Sequence, residues 1–321
     1  MTNADTDPNR HLTAAELTEL LKDPLVTYGK RLGAPLKLIG FAQQKTGQDS
    51  TTKVKVLTQS GKPIAVVSCS RPASPDLVIR GVERAEAVRK LVGPELGTVI
   101  IQPVASGYAD GRSYAILPWC TDLSPNRYLR FVQRTLLKQR LLQWLRAAVA
   151  SSATSHGLRE ENKIAFAERL RHMAQVSGIP DTARSAIRTA LNRLDSDAWQ
   201  PRHVFDHNDL WDGNVMLPGQ RVWPSRGPHA FVLIDWVGAE AKGYGITDLI
   251  RLSRFLKLSP RELRNEVEAH CSGMRCDLED APGHLLAASG NLHQNLECFP
   301  EERFLSMFNA CWKNLTEALA H

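Results

Sequence analysis

Short β-rich runs are concentrated in one segment of this 321-residue chain, and helical patterns govern most of the remainder. Between Leu36 and Trp119 four short runs, Lys53–Leu57, Ile64–Cys69, Val99–Val104 and Ser113–Leu117, read as strands. Ser60-Gly61 and Asp110-Gly111 separate successive pairs and predict antiparallel hairpins. Between the pairs, Val82–Val92 is rich in Ala, Glu, Arg and Lys and predicts one helix. The resulting order is strand, strand, helix, strand, strand.

After Pro118 the pattern turns helical. Residues 127–155 carry an apolar stripe of Leu136, Leu137, Leu141, Leu142, Leu145 and Ala148. Arg127, Arg130, Arg134, Arg140 and Arg146 accompany it and read as a solvated face, with a phosphate-binding surface as the alternative. A second helical region covers Lys163–Leu194. Two apolar runs, Asn214–Leu217 and Phe231–Ile234, then read as a strand pair joined by a Pro- and Gly-rich loop. From Asp248 onward the chain is helical again, with Ser259 and Glu262 as a capping box. Thr13 and Glu16 form another, starting a helix through Leu21. The expected organisation is a helical extension over 1–35, a β-rich lobe over 36–118 and a helical lobe over 119–321.

With 43% hydrophobic and 23% charged residues the chain has globular composition. Met1–Arg10 has no apolar run, and no stretch approaches the ~20 apolar residues of a membrane helix. A cytoplasmic protein without a membrane partner is expected. Cys69, Cys120, Cys271, Cys276, Cys298 and Cys311 are unevenly spaced and read as free thiols; Cys271 and Cys276 beside His270 lack the second pair that a zinc site needs. A net charge of +6 suits a phosphate-bearing partner such as nucleotide. No nucleic-acid-reading module accompanies it.

The densest polar cluster is His207-Asn208-Asp209-Leu210-Trp211-Asp212-Gly213-Asn214, directly before the first run of the later strand pair. The second run ends in Ile234-Asp235-Trp236. If the strands pair, Asp209, Asn214 and Asp235 can converge. Phosphoryl transfer needs such a set: one carboxylate to orient and deprotonate the attacking hydroxyl, and hard oxygen ligands for Mg²⁺.

His207-x-Asp209, Asn214 and a strand ending in Asp235 resemble the catalytic loop and metal-binding aspartate of kinase-fold enzymes, with closest affinity to the aminoglycoside phosphotransferase and choline kinase type. The resemblance spans roughly Leu36 to Leu256. It implies an α+β, two-lobed kinase-like fold with a small antiparallel β-rich N-lobe and a larger helical C-lobe. It also implies Asp209 as catalytic base, Asn214 and Asp235 as Mg²⁺ ligands, and His207 as support for the loop. Asp248 resembles the aspartate that braces the catalytic loop; read from local sequence alone it is a helix N-cap. Trp211 stands where protein kinases place Lys, and only twelve residues separate Asp235 from Asp248, too few for an activation segment. Both features favour the small-molecule branch, with Trp211-Asp212-Gly213-Asn214 reminiscent of fructosamine kinase-like proteins.

The β-rich lobe departs from the family in detail. Gly47 is the candidate phosphate-covering turn, but the full glycine-rich pattern is absent. The third-strand lysine that contacts nucleotide phosphates in kinases has no counterpart in Ile64–Ser70. Lys53 and Lys55, two apart on the preceding strand and so on one face, are candidate substitutes, with Arg71 a further one. Glu83 or Glu86 would be the helix carboxylate that pairs with such a lysine, or an ordinary surface residue. Nucleotide is expected near Pro118–Cys120, with Trp119 lining it. The function implied is phosphorylation of a small-molecule hydroxyl using ATP or GTP with Mg²⁺. The alternatives are a nucleotide-binding pseudokinase and an atypical protein kinase.

Overall fold

The computed structural model describes residues 12–33, 36–40, 51–153, 159–225, 230–296 and 299–321. Gly47 and Cys298 lie outside them. The first elements are α1 (Ala14–Leu20), α2 (Lys22–Leu32), β1 (Leu36–Gly40), β2 (Thr51–Thr58), β3 (Pro63–Ser70), α3 (Leu77–Val92), β4 (Ala105–Ala109), β5 (Arg112–Pro118) and β6 (Cys120–Thr121). They are followed by α4 (Arg127–Ser152), α5 (Arg159–Gln175), α6 (Asp181–Asp195), β7 (Val204–Asp206), β8 (Val215–Pro218), β9 (Val232–Leu233) and β10 (Glu240–Gly243). Last come α7 (Thr247–Leu256), α8 (Pro260–Met274), α9 (Ala281–Gln294) and α10 (Glu301–Leu319). The chain divides into two compact units: Met1–Glu86 with Thr98–Ser124 and Val215–Val237, and Ala87–Gly97 with Pro125–Asn214 and Gly238–His321.

The first unit is built on a five-stranded antiparallel sheet of order β1-β2-β3-β5-β4. Strand alternation sorts its side chains. Val54 and Val56 are buried with Ala65, Val67, Cys69 and Ile116, and Leu17 of α1, Leu25 and Tyr28 of α2 and Leu21 between the two helices join the same core. Each fully buried Val, Leu or Ile among them contributes roughly 1.5–3 kcal/mol. The N-terminal helices therefore complete the core of the sheet. Lys53 and Lys55 alternate with the buried valines and remain half-buried.

The Asp110-Gly111 hairpin forms as expected, with both residues at positive φ (51° and 68°), the backbone that a two-residue turn between twisted strands requires. The Val99–Val104 run does not form a strand. Leu96–Val99 is a 3₁₀ turn, Ile100 makes an isolated parallel bridge to Leu233, and the strand starts at Ala105. Pro103 explains the shift: it has no N–H for a ladder, so the chain first bonds β5 through Val104 N–H to Ile116 C=O at 2.7 Å. The later strand pair forms, with Val215 opposite Leu233 and Met216 opposite Val232.

The second unit is mainly helical, with β7 and β10 as an antiparallel pair. Helix α4 buries Leu137, Leu141, Leu142, Leu145 and Ala148, whereas Leu136 of the expected stripe is 50% exposed. The helical region expected over Lys163–Leu194 is two helices, α5 and α6, separated by a break containing Gly178 at φ 78° and Pro180. Phe166 of α5 meets Trp199, Tyr244 and His284 edge-on, with centroids 5.4, 4.8 and 5.2 Å away. Among the described residues no helix is long and apolar enough to cross a membrane.

Candidate functional site

In the second unit β7 is wholly buried and ends at Asp206; His207 is still buried, and the chain first becomes partly exposed at Asn208. Asn208 takes positive φ (62°), and its side chain donates to Gly238 C=O at 2.9 Å. This local strain, of order 1–3 kcal/mol, is held by the contacts around it. Asp209 follows with its side chain 44% exposed. Its Oδ2 accepts from Asn214 Nδ2 at 2.9 Å and Trp211 Nε1 at 3.3 Å, and its Oδ1 accepts from Arg251 Nη2 at 2.5 Å. The carboxylate is therefore oriented by three donors while keeping access to solvent. The exposed Trp211 indole crosses Gly213 so closely that a Cβ there would meet ring carbons at 2.6 Å and require the ring to shift. Asp212 pairs with Arg130 of α4, giving that arginine a partner on the loop after β7.

Two buried carboxylates lie behind the loop. Asp248 was read from local sequence as a helix N-cap, but α7 starts at Thr247 and its cap is Ile246, at φ 68° with no side-chain cap bond. Ile246 is β-branched yet sits at positive φ with ψ −40°, at the centre of a γ-turn closed by Thr247 N–H to Gly245 C=O at 2.8 Å, so the packing around it overrides its preference. Asp248 instead accepts from His207 N–H at 2.5 Å and from the Leu210 backbone N–H, bracketing Asp209 on both sides. Burial raises the pKa of Asp248, opposed by the neighbouring His207. Asp206, absent from the sequence-based candidates, accepts from Tyr244 N–H at 2.6 Å and Gly245 N–H at 3.1 Å. Burial, reinforced by Asp248, pushes its carboxyl well above the usual range. Gly243 admits this carboxylate, since a Cβ there would sit 2.4 Å from Asp206 Oδ2.

The candidate nucleotide residues belong to the first unit. Lys55 Nζ lies 5.6 Å from the centroid of the Trp119 ring, a cation–π distance, so two of the proposed nucleotide residues meet. Trp119 is tied on both sides of its backbone, donating to Ile64 C=O and accepting from Gly219 N–H, each at 3.0 Å. Lys53 faces Ser68 across the ladder, near the place where kinases carry their third-strand lysine. Ser70 and Ser113 hydroxyls bond each other at 2.8 Å and accept from Val78 and Ile79 N–H, docking the start of α3 onto the sheet. Along α3, Glu83 is exposed and Glu86 half-buried, whereas Arg84 Nη1 donates to Val237 C=O at 2.5 Å. Asp235, two residues beyond β9, is exposed and at φ 63°.

Sequence reasoning missed Asp206, Arg251 and the Arg130–Asp212 pair. The only local signal for Arg251 was its position one helical turn after Asp248. The structure thus joins His207 with Asp248 and Asp209 with Asn214 in one unit, and Lys55 with Trp119 in the other.

No protein-family model matches this sequence, and no curated protein matches it. Solved structures do. The GDP complex of wild-type aminoglycoside 2'-phosphotransferase-IIIa is 11% identical with a TM-score of 0.54, over 95% of this chain and 99% of that one. A structure described as a fructosamine-3-kinase from Haemophilus somnus is 9% identical with a TM-score of 0.51, over 93% and 98%. With its antiparallel five-stranded sheet and its helical C-terminal part, the chain has the kinase-like fold of the aminoglycoside phosphotransferases and fructosamine kinases.

Proposed function

We propose that the protein is a phosphotransferase that moves the terminal phosphoryl group of ATP or GTP, with Mg²⁺, to a hydroxyl of a small molecule. The observation that carries this reading is Asp209: a carboxylate at a strand exit, 44% exposed, oriented by Asn214, Trp211 and Arg251 on a loop anchored from behind by Asp248. In the proposed reaction Asp209 takes the proton of the acceptor hydroxyl. The acceptor oxygen forms a bond to the terminal phosphorus, the bond from that phosphorus to the bridging oxygen breaks, and nucleoside diphosphate leaves with the electron pair.

Asn214 and Asp235 are the proposed metal ligands. Both offer hard oxygen, which suits Mg²⁺. Asn214 turns its amide nitrogen to Asp209, leaving its carbonyl oxygen as the ligand atom. When bound, Mg²⁺ would neutralise charge on the nucleotide phosphates. On the nucleotide side Lys53, Lys55 and Trp119 are the proposed contacts. The pseudokinase alternative rests on one observation, the uncharged β3 with Ser68 near the usual lysine position.

Calorimetry with ATP and GTP, with and without Mg²⁺, tests the reading. It is followed by a diphosphate-release screen over amino alcohols, amino sugars, antibiotics and nucleosides. Metal-dependent binding that weakens in Asp235→Ala is expected. Failure of the wild type to bind either nucleotide refutes the proposal, and binding without turnover of any acceptor favours the pseudokinase.

A further inference from the structure

Arg251 is used by nothing described so far except the orientation of Asp209. We infer that it is the cation that receives the transferring phosphoryl group, an assignment that rests on the phosphotransferase reading above. Three observations converge. First, the guanidinium is placed at the reaction locus: Nη2 lies 2.5 Å from Asp209 Oδ1 and Nη1 2.6 Å from Asn208 C=O, with the side chain only 16% exposed. An acceptor oxygen bonded to Asp209 would lie about 3 Å from it, and the phosphorus it attacks about 3–3.5 Å further. The phosphoryl oxygens thus come within reach of a side chain already touching that carboxylate.

Second, Arg251 has donors to spare. A guanidinium carries about five N–H groups in a fixed fork that matches phosphate oxygens, and only two of its bonds to protein are identified among the described residues. Third, Asp209 keeps its orientation if Arg251 turns away, because Oδ2 is held separately by Asn214 and Trp211. Release of Oδ1 then frees the lone pairs that accept the acceptor's proton. Arg251 thus exchanges one anion for another: it pairs with Asp209 before nucleotide arrives and with the terminal phosphate afterwards.

The test is the preference for triphosphate over diphosphate, which needs no knowledge of the acceptor. Affinities for Mg²⁺-ATP and Mg²⁺-ADP, or the guanine pair, are measured by calorimetry on wild type, Arg251→Gln and Arg251→Lys, with melting temperature as a folding control. The expected result is a wild-type preference for triphosphate that falls about tenfold in Arg251→Gln and less in Arg251→Lys, with diphosphate affinity preserved. If Arg251→Gln does not fold, Arg251→Lys decides alone, by showing or lacking the reduced preference. Equal weakening of both nucleotides, or an unchanged preference in the folded variants, overturns the inference and leaves Arg251 as a scaffold for the loop. A wild type that binds both nucleotides equally overturns it too. A wild type that binds neither overturns the phosphotransferase reading first, and this inference with it.

Discussion

Replacing His284 by glutamine should flatten the acid limb of the stability profile. His284 is fully buried, its Nδ1 lies 2.5 Å from Tyr244 C=O, and its Nε2 has no hydrogen-bond partner among the described residues. Protonating Nε2 would bury an N–H⁺ facing no acceptor, which is why burial pushes the pKa down from 6.5 to about 4. A depressed histidine is neutral in the folded state while the unfolded chain takes up a proton. Its contribution is therefore present above pH 6.5 and is lost as pH falls towards about 4. In that window one proton changes the slope of unfolding free energy by about 1.4 kcal/mol per pH unit, and the integrated loss is on the order of 3 kcal/mol. His270 has the same window, with its pKa also pushed down to about 4 by burial. Asp206 works in the opposite sense, since a raised carboxyl pKa contributes stability that is lost as pH rises through it. Both are common to wild type and variant, so the difference between the two proteins isolates His284. Urea denaturation at half-unit steps from pH 7 to 4.5 measures it. Glutamine lowers stability at every pH through lost packing, so the slope and not the level is the readout. Parallel profiles for the two proteins would refute the assignment of a neutral buried imidazole.

Asp209→Asn should lower turnover by roughly 10²–10⁴-fold while leaving nucleotide affinity close to wild type; wild-type turnover in steady-state assays would remove Asp209 from the base role. Asp248→Ala leaves the His207 and Leu210 N–H groups without their buried acceptor, at about 1–3 kcal/mol each, whereas Asp248→Asn keeps one acceptor oxygen and sheds a buried charge. Thermal unfolding should therefore rank wild type and Asn well above Ala, and equal melting temperatures for Asn and Ala would contradict the bracing geometry. Lys55→Ala should weaken nucleotide binding by about tenfold, or roughly 1.4 kcal/mol, if the cation over Trp119 serves the nucleotide, with Lys53→Ala as the comparison. Unchanged calorimetric affinity in both variants would leave the two lysines as exposed-face residues.

What the sequence determined by itself is what lies close along the chain. The Thr13–Glu16 and Ser259–Glu262 capping boxes form with both reciprocal bonds, because partners three residues apart meet as soon as the helix starts. The Asp110-Gly111 hairpin and the β8–β9 pair were legible for the same reason, as was Asn214 meeting Asp209 five residues away. Even the misplaced strand was written locally, in Pro103. The tertiary structure alone decided the rest of the site. Arg251 reaches Asp209 across 42 residues, Tyr244 and Gly245 satisfy Asp206 across 38 and 39, and Arg130 finds Asp212 across 82. Read from local sequence alone Asp248 is a helix cap, and only the family resemblance gave it a bracing role; its partners, the His207 and Leu210 N–H groups, depend on how α7 docks against the loop after β7. Which face of a helix turns inward, and which strand end it meets, is settled by the packing of whole faces against one another. A pattern confined to one segment carries no information about its distant partner.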